Sequence, residues 1–419
     1  MDRRYFLKAS GIGLASFGLM AAAPDFLQQF ASAATAVKSK RPKTLITIFQ
    51  RGAVDGLNVV IPHGDGKYYD FRPTIAISRP GQNEGAINLD NYFGLHPSLA
   101  PFEKLWQNKQ LAVIHAAGSP DNTRSHFDAQ DYMESGTPGV KATPDGWLNR
   151  VLQGLNEKDA APFRAVAMTG QTPRSLYGRA PSIAMTNLAD FAIKAGNFTP
   201  NVQGGFEAIY AQTVGGDSLS ATGKETFEAI NLLKNSNPAQ YKPENNAVYP
   251  NSQLGNSLRQ IAQLIKAGVG LEIAFAEVGG WDTHANQGSG RGQLANLLRD
   301  FGQSIAALTI DLGQRMDDVV ILTMSEFGRT VRENGTRGTD HGHANAMFVI
   351  GNSVKGGKVY GDFRGLSNDK LYEGRDLDVT TDFRDVFAEI ADKHLGNRNF
   401  GNIFPGFKVS TANRRNFLG

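Results

Sequence analysis

Six short, almost uniformly apolar runs rich in β-branched residues constrain the fold of this chain more than any other feature. They cover residues 44–49, 111–115, 165–168, 271–275, 319–323 and 346–350. Each is short for a helix and lacks the polar alternation of a strand with one wet face. Strands apolar on both sides belong in the middle layer of a structure. The segments between them supply the outer layers. Residues 257–268 and 293–316 have helical spacing, with Leu294, Leu297, Leu298, Phe301, Ile305 and Leu308 forming a stripe on the second. Residues 382–393 put Phe383, Val386, Phe387 and Ile390 on one face, with Thr380 and Thr381 as the expected caps. The expected fold class is α/β: a mostly parallel sheet with helices on both faces. Residues 197–250, rich in Asn, Gly, Ser and Gln, read as an inserted cap over the sheet.

The first residues carry a signal of another kind. Arg3-Arg4 followed by Tyr5-Phe6-Leu7-Lys8 matches a twin-arginine export signal. The apolar stretch 9–23 is short of the roughly 20 residues of a membrane span. Small residues from Ala31 to Ala36 form a cleavage region, with the cut placed after Ala33 or Ala36. Residues 1–36 are read as a signal peptide and 37–419 as one domain. The expected location is periplasmic or secreted, with the twin-arginine export machinery as a partner and no stable membrane span after cleavage. The chain has no cysteine, which excludes disulfides, thiolate metal ligands and a thiol nucleophile. Its net charge of +3 is small and dispersed, so nucleic acid is not an expected partner.

In open α/β sheets, ligands bind at the carboxyl ends of the strands. Four polar clusters follow the apolar runs. The first holds Arg51-Gly52 and Asp55-Gly56, where Asp55 either offers a carboxylate to a metal or stabilises its own turn. The second holds Thr123-Arg124-Ser125-His126 at an expected helix start. Ser125 there is either a helix cap or, like Thr123, a candidate nucleophile. His126 is a candidate base or ligand, and Arg124 adds charge at an anion-binding helix N-terminus. The third is Asp282-Thr283-His284 in a glycine-flanked loop, a pairing of carboxylate and imidazole that suits zinc. The fourth spans Glu326 and Arg329 and ends in Asp340-His341-Gly342-His343, the densest ligand-type group in the chain. On an extended backbone His341 and His343 would point the same way; the alternative is a pair of solvated loop histidines. His63, His96, His115 and His394 lack such neighbours and read as structural.

Taken in order, Arg51-Gly52 with Asp55-Gly56-Leu57-Asn58, Arg124-Ser125-His126-Phe127-Asp128, Trp281-Asp282-Thr283-His284, Ser325-Glu326-Phe327-Gly328-Arg329, Thr339-Asp340-His341-Gly342 and Thr381-Asp382-Phe383-Arg384 resemble the twin-arginine-exported family known as domain of unknown function 1501. The likeness runs over nearly the whole mature chain. More distantly, the layout is similar to the alkaline phosphatase and sulfatase superfamily, which implies an alkaline phosphatase-like three-layer sandwich and a hydrolase of phosphate or sulfate esters. By position, Asp55 resembles that superfamily's first metal ligand, Ser125 its nucleophile, and Asp282 with His284 its middle pair. Glu326 stands where an Asp of the later pair would be, and His341 or His343 resembles the final histidine. The resemblance implies a divalent metal, zinc by donor type, with calcium, magnesium or manganese as alternatives. Arg51, Arg124 or Arg329 would clamp an anionic small-molecule or glycan substrate.

Two departures stand out. Phe327 occupies the place of the superfamily's paired histidine, and the middle pair is spaced i, i+2 instead of i, i+4. One metal, or a site rebuilt with His126, is therefore implied as readily as two. A non-catalytic exported protein that binds an anionic sugar or envelope component in the same pocket is the alternative.

Overall fold

The computed structural model describes residues 42–155, 163–188 and 240–419. The signal segment, its cleavage region and residues 197–239 of the expected insertion lie outside the described residues. Within the described part, the apolar runs form one nine-stranded sheet. Its strands are β1 (Thr44–Gln50), β2 (Leu111–Gly118), β3 (Ala165–Ala167), β4 (Ile183–Ala184), β5 (Ile273–Val278), β6 (Val319–Met324), β7 (Asn345–Ile350), β8 (Lys358–Tyr360) and β9 (Thr381–Asp382). The order is β8-β2-β7-β6-β1-β5-β3-β4, and β9 pairs with the end of β2.

The strands β6, β1, β5, β3 and β4 are parallel neighbours. β7 alone is reversed, antiparallel to β6 on one side and to β2 on the other. This refines the expectation of a parallel sheet, and it matters for the site. A loop that precedes a parallel strand lies at the amino edge, opposite the ligand-binding edge. Because β7 runs backwards, the whole connection 325–344 stays at the carboxyl edge, and the residues before β7 face those after β1, β2 and β5.

Helices cover both faces, as the strand composition requires. Ile46, Ile48, Val113, Ala274 and Ile321 share one apolar cluster with α1 (Ala100–Gln107), α4 (Gln253–Ala267) and α5 (Gln293–Leu312). Their sequence neighbours Leu45, Phe49, Ile114, Phe275 and Leu322 point to the other face, against α2 (His126–Ser135), α3 (Trp147–Gln153) and α6 (Phe383–Lys393). The period-two alternation of strand side chains thus feeds two cores from one sheet.

The cap of α6 is Asp382, whose carboxylate accepts from the Arg384 N–H at 2.9 Å, where Thr380 and Thr381 were the expected caps. Residues 241–250 run irregularly and are fixed to α5 by the Tyr241 and Tyr249 hydroxyls, 2.6 and 2.8 Å from Asp311 Oδ2. His63, His96, His115 and His394 are all buried. Among the described residues, no helix is long and apolar enough to cross a membrane.

Candidate metal centre

The three loops and one helix that meet at the carboxyl edge bring His126, Asp282, His284 and His341 together. His126 is the first residue of α2, capped by Ser125, whose hydroxyl accepts from the Asp128 N–H at 3.4 Å. Asp282 and His284 follow β5, and His341 lies in the return to β7, paired as an antiparallel bridge with Arg329. Close backbone contact makes this possible. Gly52, after β1, has φ +118°, and a Cβ there would stand 2.9 Å from the Asp282 nitrogen. At Gly338 a Cβ would meet the His284 carbonyl at 2.3 Å. Only glycine lets the loops approach this closely.

His126 Nε2 and His284 Nε2 each lie 3.0 Å from His341 Nε2. Asp282 Oδ1 is 3.0 Å from His284 Nε2 and 3.2 Å from His341 Nε2, and Asp282 Oδ2 is 3.5 Å from His126 Nε2. Ligand atoms of His126, Asp282 and His341 all fall within 4.8 Å of one another. The opposite ring nitrogens all face acceptors. His126 Nδ1 is 2.8 Å from Glu326 Oε1, His284 Nδ1 is 3.0 Å from Asp340 Oδ1, and His341 Nδ1 is 2.8 Å from the Arg124 carbonyl oxygen. Each Nδ1 therefore carries the proton, and each Nε2 directs a lone pair inward. In that tautomer the three Nε2 atoms and the Asp282 carboxylate face one another as acceptors, an arrangement that a cation among them would satisfy and that the Arg329 guanidinium, 2.6 Å from Asp282 Oδ1, balances at the carboxylate alone. Orienting acceptors behind inward-facing imidazoles are the usual outer shell of a histidine metal site. A tetrahedral zinc with bonds of about 2.0–2.2 Å has ligand–ligand edges of about 3.3–3.6 Å, and five contacts among these four residues measure 3.0, 3.0, 3.0, 3.2 and 3.5 Å. The donor set fits the implied metal.

The surrounding charges are tuned to this arrangement. Burial pushes the Glu326 carboxyl up, but contacts from His126, Gln130 and the Gly52 N–H outweigh it and hold the group below the ordinary carboxylate range. Oε1 alone receives all three contacts at 2.8 Å. The hydrogen bond to Glu326 in turn raises the His126 pKa, whereas burial lowers that of His341. Burial also opposes ionisation of Asp282, but the Arg329 guanidinium, 2.6 Å away, keeps its pKa low. For Asp340 the same opposition from burial is overcome by Asn334 and His284.

Asp55 and His343 lie apart from this group. Asp55 is buried and held by Arg72 Nη1 and Nη2 at 2.6 and 3.0 Å, with Gln287 Nε2 at 2.7 Å. A guanidinium thus compensates the carboxylate where the resemblance places a metal. His343 does not point with His341. Its Nε2 is 2.9 Å from the Ser119 carbonyl and its ring packs on Tyr372. The Gly342 N–H bonds to the Gly328 carbonyl and the Gly328 N–H to the His343 carbonyl, so one residue opposes two, a bulge that breaks the alternation that would have aligned the two rings. The three candidate anion clamps are all engaged: Arg51 by Glu277, Gln130 and Glu134, Arg124 by Glu373 and Asp376, and Arg329 by Asp282 and Thr339. Phe327 lies against both His126 and His341, ring centroids 4.9 and 5.1 Å away.

Sequence reasoning missed Gln130, Arg72, Gln287 and Asn334. Gln130 had a usable signal, since it stands four residues after His126 on the same helix face. Arg72 had none, because its partners are set by a loop that returns from 17 residues away.

Among solved structures, the chain is similar to the zinc complex of the C-terminal periplasmic domain of EcEptC from Escherichia coli, at 11% identity over 91% of this chain and 93% of that one, with a TM-score of 0.39. It is similar to the PsFucS1 sulfatase from Pseudoalteromonas sp., at 12% identity over 89% and 72%, TM-score 0.38. It is also similar to the lipoteichoic acid synthase LtaP from Listeria monocytogenes, at 7% identity over 93% and 80%, TM-score 0.35. The sequence matches no curated protein. The family model of DUF1501, a protein of unknown function, matches residues 42–402, and the chain belongs to that family.

Proposed function

We propose that the chain is an exported, metal-dependent hydrolase of phosphate or sulfate esters, with one divalent metal held by His126, Asp282, His284 and His341. The observation that carries this reading is the convergence of three Nε2 lone pairs on one carboxylate, each imidazole fixed from behind by an acceptor. When bound, zinc at such a site supplies Lewis-acid polarisation of an ester oxygen. Ser125 sits one residue before His126 at the start of the ten-residue helix α2. The positive end of that helix dipole favours an anionic substrate group. Ser125 is the assigned nucleophile, and Glu326 keeps the His126 ring in place.

The test measures metal content and hydrolysis of aryl phosphates and aryl sulfates by the mature chain and by Asp282→Ala and Ser125→Ala. The reading expects about one bound metal per chain, turnover in the wild type, loss of both metal and turnover in Asp282→Ala, and loss of turnover alone in Ser125→Ala. A wild type that binds no metal and hydrolyses neither ester would overturn it.

Two observations favour the second reading, a binding protein with no turnover. Phe327 and the Arg72–Asp55 pair stand where the superfamily resemblance would place further metal ligands. Metal-loaded protein that retains an anionic glycan without hydrolysing any ester is the outcome that selects it. Export belongs to both readings. Replacing Arg3 and Arg4 by lysine should stop transport of a reporter fused behind residues 1–41, with the reporter retained in the cytoplasm.

A further inference from the structure

A polar cavity of about 450 Å³ opens between the first three turns of α4 and the segment leaving the edge strand β4. Thr186, Asn187, Asn256, Ser257, Arg259 and Gln263 line it, and among the described residues no acidic residue and no aromatic ring does. Ligand sites are commonly about 300–1,000 Å³ and mostly apolar; this one has the size but an amide and hydroxyl wall. Gln260 ties the two sides together, with its Oε1 accepting from the Leu188 N–H at 2.6 Å. The wall is therefore fixed.

Two donors in it are unanswered. Gln263 is 6% exposed, and its buried Nε2 has no hydrogen-bond partner. The same is true of the buried Nε of Arg259, and among the described residues Arg259 forms no ion pair. Buried donors without acceptors are uncommon in folded proteins and call for a partner. A cation and a row of amides whose buried donors lack acceptors select a ligand that is both anionic and rich in hydroxyl or carbonyl oxygens. Met168, directly after β3, also lines the cavity, so it opens on the carboxyl-edge side of the sheet, where the metal centre lies. The cavity lies towards the β3–β4 side of the sheet, and the residues of the centre follow β5 and precede β7 or open α2.

We infer that this cavity is a binding site for an acidic saccharide, with Arg259 recognising its anionic group and Gln263 an adjacent oxygen. If the proposed hydrolase reading holds, the site would grip a substrate several sugar units from the cleaved ester, but binding here does not depend on that reading.

The experiment is equilibrium binding of oligogalacturonate to the mature chain treated with chelator, with neutral cellobiose and inorganic sulfate as controls. The expected result is binding of the oligouronate that weakens at least tenfold in Arg259→Ala and severalfold in Gln263→Leu, with both variants retaining the wild-type melting transition within a few degrees. Arg259→Lys, which keeps the charge, should recover part of the loss. The inference is overturned if the oligouronate does not bind, if Arg259→Ala and Gln263→Leu bind it as the wild type does, or if sulfate alone binds as tightly as the saccharide. Because the metal is absent throughout, failure of the hydrolase reading leaves this result intact, and the reverse is also true.

Discussion

Glu326 Oε1 stands 2.8 Å from His126 Nδ1, and the same oxygen receives the Gly52 N–H and the Gln130 amide. One buried carboxylate thus joins β1, β6 and α2 and fixes the tautomer of an imidazole on the opposite side of the site. Removing its charge should loosen the metal without removing a ligand. Glu326→Gln is expected to lower zinc affinity about 10–100-fold, measured by competition with a chromogenic chelator. Unchanged affinity would show that His126 is not a ligand.

Zinc should stabilise the fold measurably, since the four proposed ligands come from α2, the loop after β5 and the return to β7. At a free metal concentration about 100 times Kd, binding to the native state alone adds about 2.7 kcal/mol. Differential scanning calorimetry of the mature chain, with and without chelator, should show a higher Tm with zinc. Asp282→Ala should show no such difference.

Metal retention should fall in acid, and the sign follows from the ligands. Protons compete with the metal for the Nε2 lone pairs. Glu326 raises the pKa of His126, so its competition begins at a higher pH than for an ordinary imidazole, while burial makes His341 resist protonation. Bound zinc is therefore expected to be lost progressively as pH falls through the range around 6.5, and Glu326→Gln should reduce the contribution of His126 to that loss. Dialysis across a pH series with elemental analysis gives the profile.

Arg72 and Asp55 form an ion pair with almost no solvent exposure, 0% and 1% at the side chains. Arg72→Ala leaves a buried carboxylate without its cation, a change that typically costs 3–5 kcal/mol, so about that loss is expected in urea unfolding. Asp55→Asn in the same background should restore part of it, because the charge is then gone. A loss confined to metal binding, with stability unchanged, would instead make Asp55 a ligand.

Three buried histidines should make the whole domain acid-sensitive. Burial lowers the pKa of His96, His115 and His394 to about 4. Their unfolded value is about 6.5. Between these values the unfolded chain binds more protons than the native one, so stability is lost as pH falls from 6.5 towards 4. At pH 5 the loss is about 1–2 kcal/mol for each histidine. Urea midpoints at pH 7 and pH 5, compared with His394→Gln, measure one share of it.

The sequence by itself determined the layers. Runs such as 44–49 and 319–323 are apolar but for threonines and lack the alternation of a strand with one wet face, so they read as strands covered on both sides, and all six became sheet strands. It also located three of the four converging residues as ligand-type groups, because Asp282-Thr283-His284 and Asp340-His341 sit beside strand ends, and it held His126 open as base or ligand. What it could not determine was which of these groups meet. That depended on the reversal of β7, a pairing made between strands distant in sequence, which brings the 325–344 return to the carboxyl edge. It depended equally on orientation: His341 and His343 are two residues apart, yet the Gly342 backbone turns one ring to the centre and the other to Ser119. Spacing in sequence predicts a common direction only on a regular strand, and this loop is not one. The capture of Asp55 by Arg72 is likewise tertiary, because a guanidinium satisfies a carboxylate as well as a metal does and nothing local to either residue says which will arrive.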